Sequence, residues 1–76
     1  MEQIIFGECP ICRQGQLTAM TSISTGQMVV MCDDCESQWR SPSDAESFEK
    51  ALKEELRDIR PATLDEVHQA GWEFDA

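Results

Sequence analysis

Basic side chains are scarce in this chain: six Lys and Arg stand against 15 Asp and Glu, a formal charge of −9 over 76 residues. Such a field repels phosphate backbones, so nucleic acid is an unlikely partner on charge grounds and a basic protein is the expected one. Histidine is scarcer still, with His68 alone. No second histidine accompanies it in the sequence, and it reads as an exposed helical residue. No nucleophile, base and orienting group assemble from the sequence either, so no catalytic residue is assigned and the chain does not read as an enzyme. No apolar run approaches the ~20 residues of a membrane span, and no membrane association is expected. The opening Met1-Glu2-Gln3-Ile4-Ile5-Phe6-Gly7 lacks the basic first region and the apolar stretch of roughly 7 to 15 residues that mark a secretory signal. A cytoplasmic protein is expected.

Length is also in short supply. A chain this small forms one domain and buries only about 60% of the surface its unfolded form exposes. Core burial barely exceeds the conformational entropy lost on folding, so a disulfide, a metal or a partner subunit is needed as a staple.

Four cysteines offer one. Cys9-Pro10-Ile11-Cys12 and Cys32-Asp33-Asp34-Cys35 are two C-x2-C pairs with 19 residues between them. Two residues between cysteines let a tight turn aim both sulfurs at one point, and two such knuckles complete a tetrahedron with metal–sulfur distances of ~2.3 Å. In a reducing compartment the pattern favours a metal over disulfides. Zinc is the first candidate for Cys9, Cys12, Cys32 and Cys35, and iron held by four thiolates is the alternative. A thioredoxin-like redox pair would need a C-x-x-C at the start of a helix in a βαβ setting, which neither the length nor the flanks offer. With four protein ligands the site is closed, so its role is folding and not the activation of water.

Over roughly residues 8–41 the chain resembles the zinc-ribbon superfamily, with Cys9-Pro10-Ile11-Cys12, Gly15 and Leu17 similar to a first knuckle entering its first strand. Arg13 and Glu36 stand where many ribbons place glycine after the second cysteine of a knuckle, which predicts slightly strained or differently turned knuckles. The resemblance implies a metal scaffold and fixes no function.

The remainder predicts a small α+β fold: a three-stranded antiparallel ribbon followed by one long and one short helix, all one domain, with residues 1–42 as ribbon and 43–76 as a helical extension packed on it. Gln16 to Ser22 and Gln27 to Met31 form a hairpin around Ser24-Thr25-Gly26, and Ser37 to Ser41 return as a third strand with Trp39 in the core. Ser43-Asp44-Ala45-Glu46 reads as a capping box opening a long helix, whose stripe of Ala45, Phe48, Leu52, Leu56 and Ile59 is buried and which ends near Pro61. Thr63-Leu64-Asp65-Glu66 opens a short helix that Gly71 closes, returning Trp72 towards Val67.

The function that fits is a non-enzymatic, acidic protein-binding module, akin to small inhibitors, antitoxins or immunity proteins that neutralise a basic toxin. The alternative is a zinc-ribbon factor acting with nucleic acid or the transcription and translation machinery. Candidate partner-binding residues are Glu54, Glu55 and Asp58, acids near the end of the long helix where they oppose its dipole, together with Trp72 and Phe74 of the aromatic–acidic tail, for which packing on the helix stripe is the first reading and partner binding the alternative.

Overall fold

A computed structural model describes residues 4–72. Its centre is β2 (Gln16–Ser22), whose Thr, Leu and Met side chains suit a strand buried on both faces. On one edge β2 pairs antiparallel with β3 (Met28–Cys32), Leu17 opposite Cys32 and Thr21 opposite Met28. Its other edge is shared. β1 (Ile5–Glu8) covers Gln16 to Thr18, and β5 (Ile59–Pro61) covers Met20 to Ser22. Ala19 marks the join, donating its amide to the Ile4 carbonyl and accepting from the Ala62 amide. β4 (Gln38–Trp39) extends the sheet beyond β3.

Strand alternation then sorts the side chains. Leu17, Ala19, Val30, Cys32 and Trp39 share one face. A register slip between Ile5 and Gly7 bulges β1, with Gly7 at φ 136°, and Phe6 joins this face. Trp39 is fully buried there among Cys9, Leu17, Val30, Cys32 and Ala45, and its indole N–H donates to the Ser47 carbonyl at 2.9 Å. A second cluster of Ala19, Ala62 and Val67 continues the core under α1 (Leu64–Gln69).

The long helix does not form. Residues 44–50 make two 3-10 turns, Asp44–Glu46 and Phe48–Lys50, broken by an extended Ser47, and the chain then runs without regular structure to β5. Ser43 caps nothing. The Asp44 amide is taken by the Ser41 hydroxyl, two residues earlier than the capping box predicts. Helix propensity loses here to tertiary acceptors. The Leu52 amide, which a helix would direct to Phe48, donates to the Gln38 carbonyl at 2.7 Å, and the Gln38 side chain takes both the amide and the carbonyl of Leu56. Gln38 therefore behaves as a surrogate strand neighbour. It straps residues 52–58 across the second sheet face, the one that carries Met20 and Met31, so that β5 can reach the far edge of β2. The expected apolar stripe is dispersed: Ala45 is buried, Leu52 and Leu56 are half-buried, and Phe48 is 63% exposed.

The short helix follows its local signals. The Thr63 hydroxyl accepts from the Glu66 amide and the Glu66 carboxylate accepts from the Thr63 amide, completing the capping box. At the other end Gly71 is left-handed (φ 73°), its amide meets the His68 carbonyl and the Trp72 amide meets that of Val67, which is a Schellman closure. Glu66 also receives both terminal nitrogens of Arg60, at 2.9 and 3.0 Å, joining α1 to β5.

Two outcomes test this arrangement. Phe48→Ala should stay within about 0.5 kcal/mol of the parent, whereas Trp39→Ala should cost about 3–5 kcal/mol. Urea titrations followed by circular dichroism measure both, and a large loss from Phe48→Ala would return that ring to a core. The second concerns pH. Arg60, followed by the Thr63 amide, holds the Glu66 carboxyl down at about 2 against an ordinary 4.5. A depressed acid stabilises the fold above its unfolded pKa, and that contribution fades as pH falls through the folded one. Glu66→Gln should therefore lower the melting temperature at neutral pH, with the difference closing between pH 4.5 and about 2. A difference that does not depend on pH would show that the charge is not what matters.

Candidate metal centre

The four cysteines arrive from two hairpin turns at one end of the sheet. Cys9 and Cys12 lie in the β1–β2 turn, Cys32 ends β3, and Cys35 lies in the β3–β4 turn. Leu17 opposite Cys32 brings the turns together. They are then tied directly: the Asp33 amide donates to the Gln16 carbonyl at 3.0 Å, and the Gln16 amide donates to the Asp33 carboxylate at 2.8 Å.

All four sulfurs fall within 4.8 Å of one another. Cys9 and Cys35 are 3.7 Å apart and Cys12 and Cys32 are 3.5 Å apart, far beyond a disulfide bond. A tetrahedron with ~2.3 Å bonds has edges of about 3.8 Å, so the spacing fits a single four-thiolate ion. Among the described residues this is the one cluster of three or more Cys, His, Asp or Glu able to hold a metal.

Backbone amides line the sulfurs. Cys9 Sγ accepts from Ile11, Cys12 Sγ from Gly15, and Cys32 Sγ from both Asp34 and Cys35, at 3.3–3.4 Å. Arg13 (φ 56°) and Glu36 (φ 64°) both adopt the left-handed conformation that favours glycine, so each knuckle stores about 1 kcal/mol of strain. The electrostatics divide the set in two. Burial pushes the Cys32 thiol up to about 12 and raises Cys9, while the amides of Gln14 and Gly15 bring Cys12 down to about 6 and the Ser37 hydroxyl lowers Cys35. The inner pair resists ionisation without a cation, so metal uptake must expel protons and weaken at low pH.

Gly15 is the position that sequence reading undervalued. A Cβ there would collide with Cys32 Sγ and come within 2.8 Å of the Asp33 carboxylate and of Asp34 Cβ. Its role is close approach between the two knuckles. Only its place three residues after Cys12 hinted at this.

The candidate partner residues scatter. Glu54 and Glu55 are exposed on the strap, beside a groove of about 880 Å³ whose rim also carries Lys53 and Arg57. Asp58 is committed to the fold: its carbonyl accepts from the Ile23 amide, its carboxylate accepts from the Ser22 hydroxyl and the Ser24 amide, and the carboxylate's bonds, Ser24 foremost, hold its pKa below the ordinary range. Trp72 is half-buried, edge-on to Phe6 with ring centroids 5.8 Å apart. Phe74 lies outside the described residues. His68 is exposed on α1, and none of these residues joins the metal cluster.

Comparison with protein-family models, with curated proteins and with solved structures gives no match. The arrangement is compatible with a zinc ribbon on its own geometry. No helix of the described residues is long and apolar enough to cross a membrane.

Gly15→Ala should weaken metal retention about tenfold or more, in the range found for groups that orient metal ligands. Competition with a chromogenic chelator measures it. Retention equal to the parent's would mean that the knuckles part at no cost and that the close approach is incidental.

Proposed function

We infer that this chain is a zinc-stapled, non-enzymatic module that docks on a basic protein, in the manner of a small cytoplasmic inhibitor or immunity protein. Zinc is preferred over iron because the second knuckle, Cys32-Asp33-Asp34-Cys35, lacks the Pro and Gly that rubredoxins resemble one another by, and elemental analysis of protein purified without added metal distinguishes the two. Four thiolates and one zinc ion would take the net charge to about −11.

One observation carries the docking reading. A groove of about 660 Å³ runs beside the metal turns, floored by Phe6, Leu17, Ala45 and Trp72 and flanked by Glu8 and Glu46, with no basic residue in its lining. Aromatic groups set between acids of a single sign suit an interface that gains affinity from a buried anchor and speed from electrostatic steering. It moves the emphasis from Glu54, Glu55 and Asp58, which lie among cations or within the fold, to Trp72 and the acids around it.

The test is affinity capture from native lysate at low and high salt, comparing the parent with the Glu8→Lys, Glu46→Lys variant. A basic protein retained by the parent, lost in high salt and missed by a folded, zinc-loaded variant supports the reading. Titration with labelled DNA and RNA is the counter-test. Submicromolar, salt-sensitive nucleic-acid binding would overturn it in favour of a nucleic-acid factor.

A further inference from the structure

The four thiols are not equally sheltered. Cys9 and Cys32 are buried, Cys12 is half-buried, and Cys35 is exposed. One vertex of the metal tetrahedron therefore faces water, and the sulfur 3.7 Å from it belongs to Cys9 in the opposite knuckle. Three exposed acids, Asp33, Asp34 and Glu36, surround that vertex in the chain. A small neutral oxidant can reach it, while an anionic disulfide such as oxidised glutathione is repelled.

We propose that Cys35 is a peroxide-oxidation site with Cys9 as its resolving thiol, so that hydrogen peroxide converts the zinc-loaded protein into a metal-free form cross-linked between its two knuckles. This rests on the zinc reading above. The Cys35 thiolate attacks one peroxide oxygen, the O–O bond breaks, and hydroxide leaves, giving a sulfenic acid that no longer holds zinc. The Cys9 thiolate then attacks the Cys35 sulfur, the S–O bond breaks, and a second hydroxide leaves as the disulfide forms. With two protons taken up, two thiolates and one peroxide yield one disulfide and two waters, and zinc departs as the hydrated ion. A second equivalent does the same to Cys12 and Cys32, 3.5 Å apart. The bonds join the same two turns that the metal joined, so the sheet survives the loss of zinc.

The sequence allows a direct readout. Trypsin cleaves after Arg13 and Arg40, which leaves Cys9 and Cys12 in one peptide and Cys32 and Cys35 in another. Zinc content is measured first, and protein purified without zinc would sink the metal reading before oxidation is tried. Zinc-loaded protein is then treated with hydrogen peroxide while a chromogenic chelator reports release, and digested without reductant for mass spectrometry. The expected result is zinc release together with a cross-linked pair of peptides, retained strand signal in circular dichroism, and, with dimedone present, a trapped sulfenic acid at Cys35. Peptides that separate with internal disulfides, or dimedone on another cysteine, would overturn the proposal while leaving the zinc reading intact. The Asp34→Asn, Glu36→Gln variant keeps all four ligands. It should react at least threefold faster with oxidised glutathione and at an unchanged rate with peroxide, and equal acceleration by both oxidants would remove the charge filter.

Discussion

The convergence of two hairpin turns on four sulfurs is the constraint from which the rest of this structure follows. Among the described residues the largest fully buried side chains are Trp39, three valines and residues no bigger than threonine, which is a thin core for a five-stranded sheet. A metal held by both turns would supply what the core lacks, on the order of 10 to 16 kcal/mol in small zinc peptides, comparable to the whole net stability of a domain. Core and metal centre are also the same region: Cys9 and Cys32 belong to the cluster that encloses Trp39. Burial there is what makes the inner thiols reluctant to ionise, so hydrophobic packing and metal binding work against each other until a cation is present.

The features legible in the sequence are those specified within a few residues. The paired knuckles, the hairpin, the return of Trp39 and the Thr63–Gly71 helix each have a local cause, a spacing or a capping pair, that no distant contact contradicts. The misread segment shows the opposite. Residues 43–60 carry an apolar period and a capping sequence, yet the amides of Leu52 and Leu56 bond to Gln38 in a strand that sequence proximity does not associate with them. Gln38 looks like a surface residue in the sequence. In the fold it is buried with both ends of its amide bonded to Leu56, a role visible only when β4 and the strap lie side by side. β1 and β5 escaped notice for a related reason: each is short, and each exists because β2 has an edge to fill.

Acidic residues show how composition misleads about placement. Asp33, Asp58 and Glu66 form part of a charge that reads as one undivided surface. Asp33 ties one knuckle to β2, Asp58 closes the β2–β3 turn, and Glu66 caps α1 while gripping Arg60. Each carboxylate satisfies backbone amides that the sheet or helix leaves over, which accounts for its presence without any partner. The acids without such duties are the informative ones, and Glu8 and Glu46 are exposed beside the groove that Phe6 and Trp72 line.

That groove is built on the metal centre and not merely next to it. Leu17 lies on its floor, pairs with Cys32 across the sheet, and packs in the cluster that contains Cys9. Phe6 reaches the floor because of the β1 bulge, two residues before the first knuckle, and Trp72 stands on Phe6. The groove walls thus come from β1 and the first knuckle, the Ser41–Glu46 turn and the residues after α1, three segments distant in sequence. Pairing of β1 ends at Glu8, one residue before Cys9, so an ion held by the two turns would also fix the strand on which the aromatic pair rests. Coordination at the cysteines would therefore be felt at the groove through one short strand.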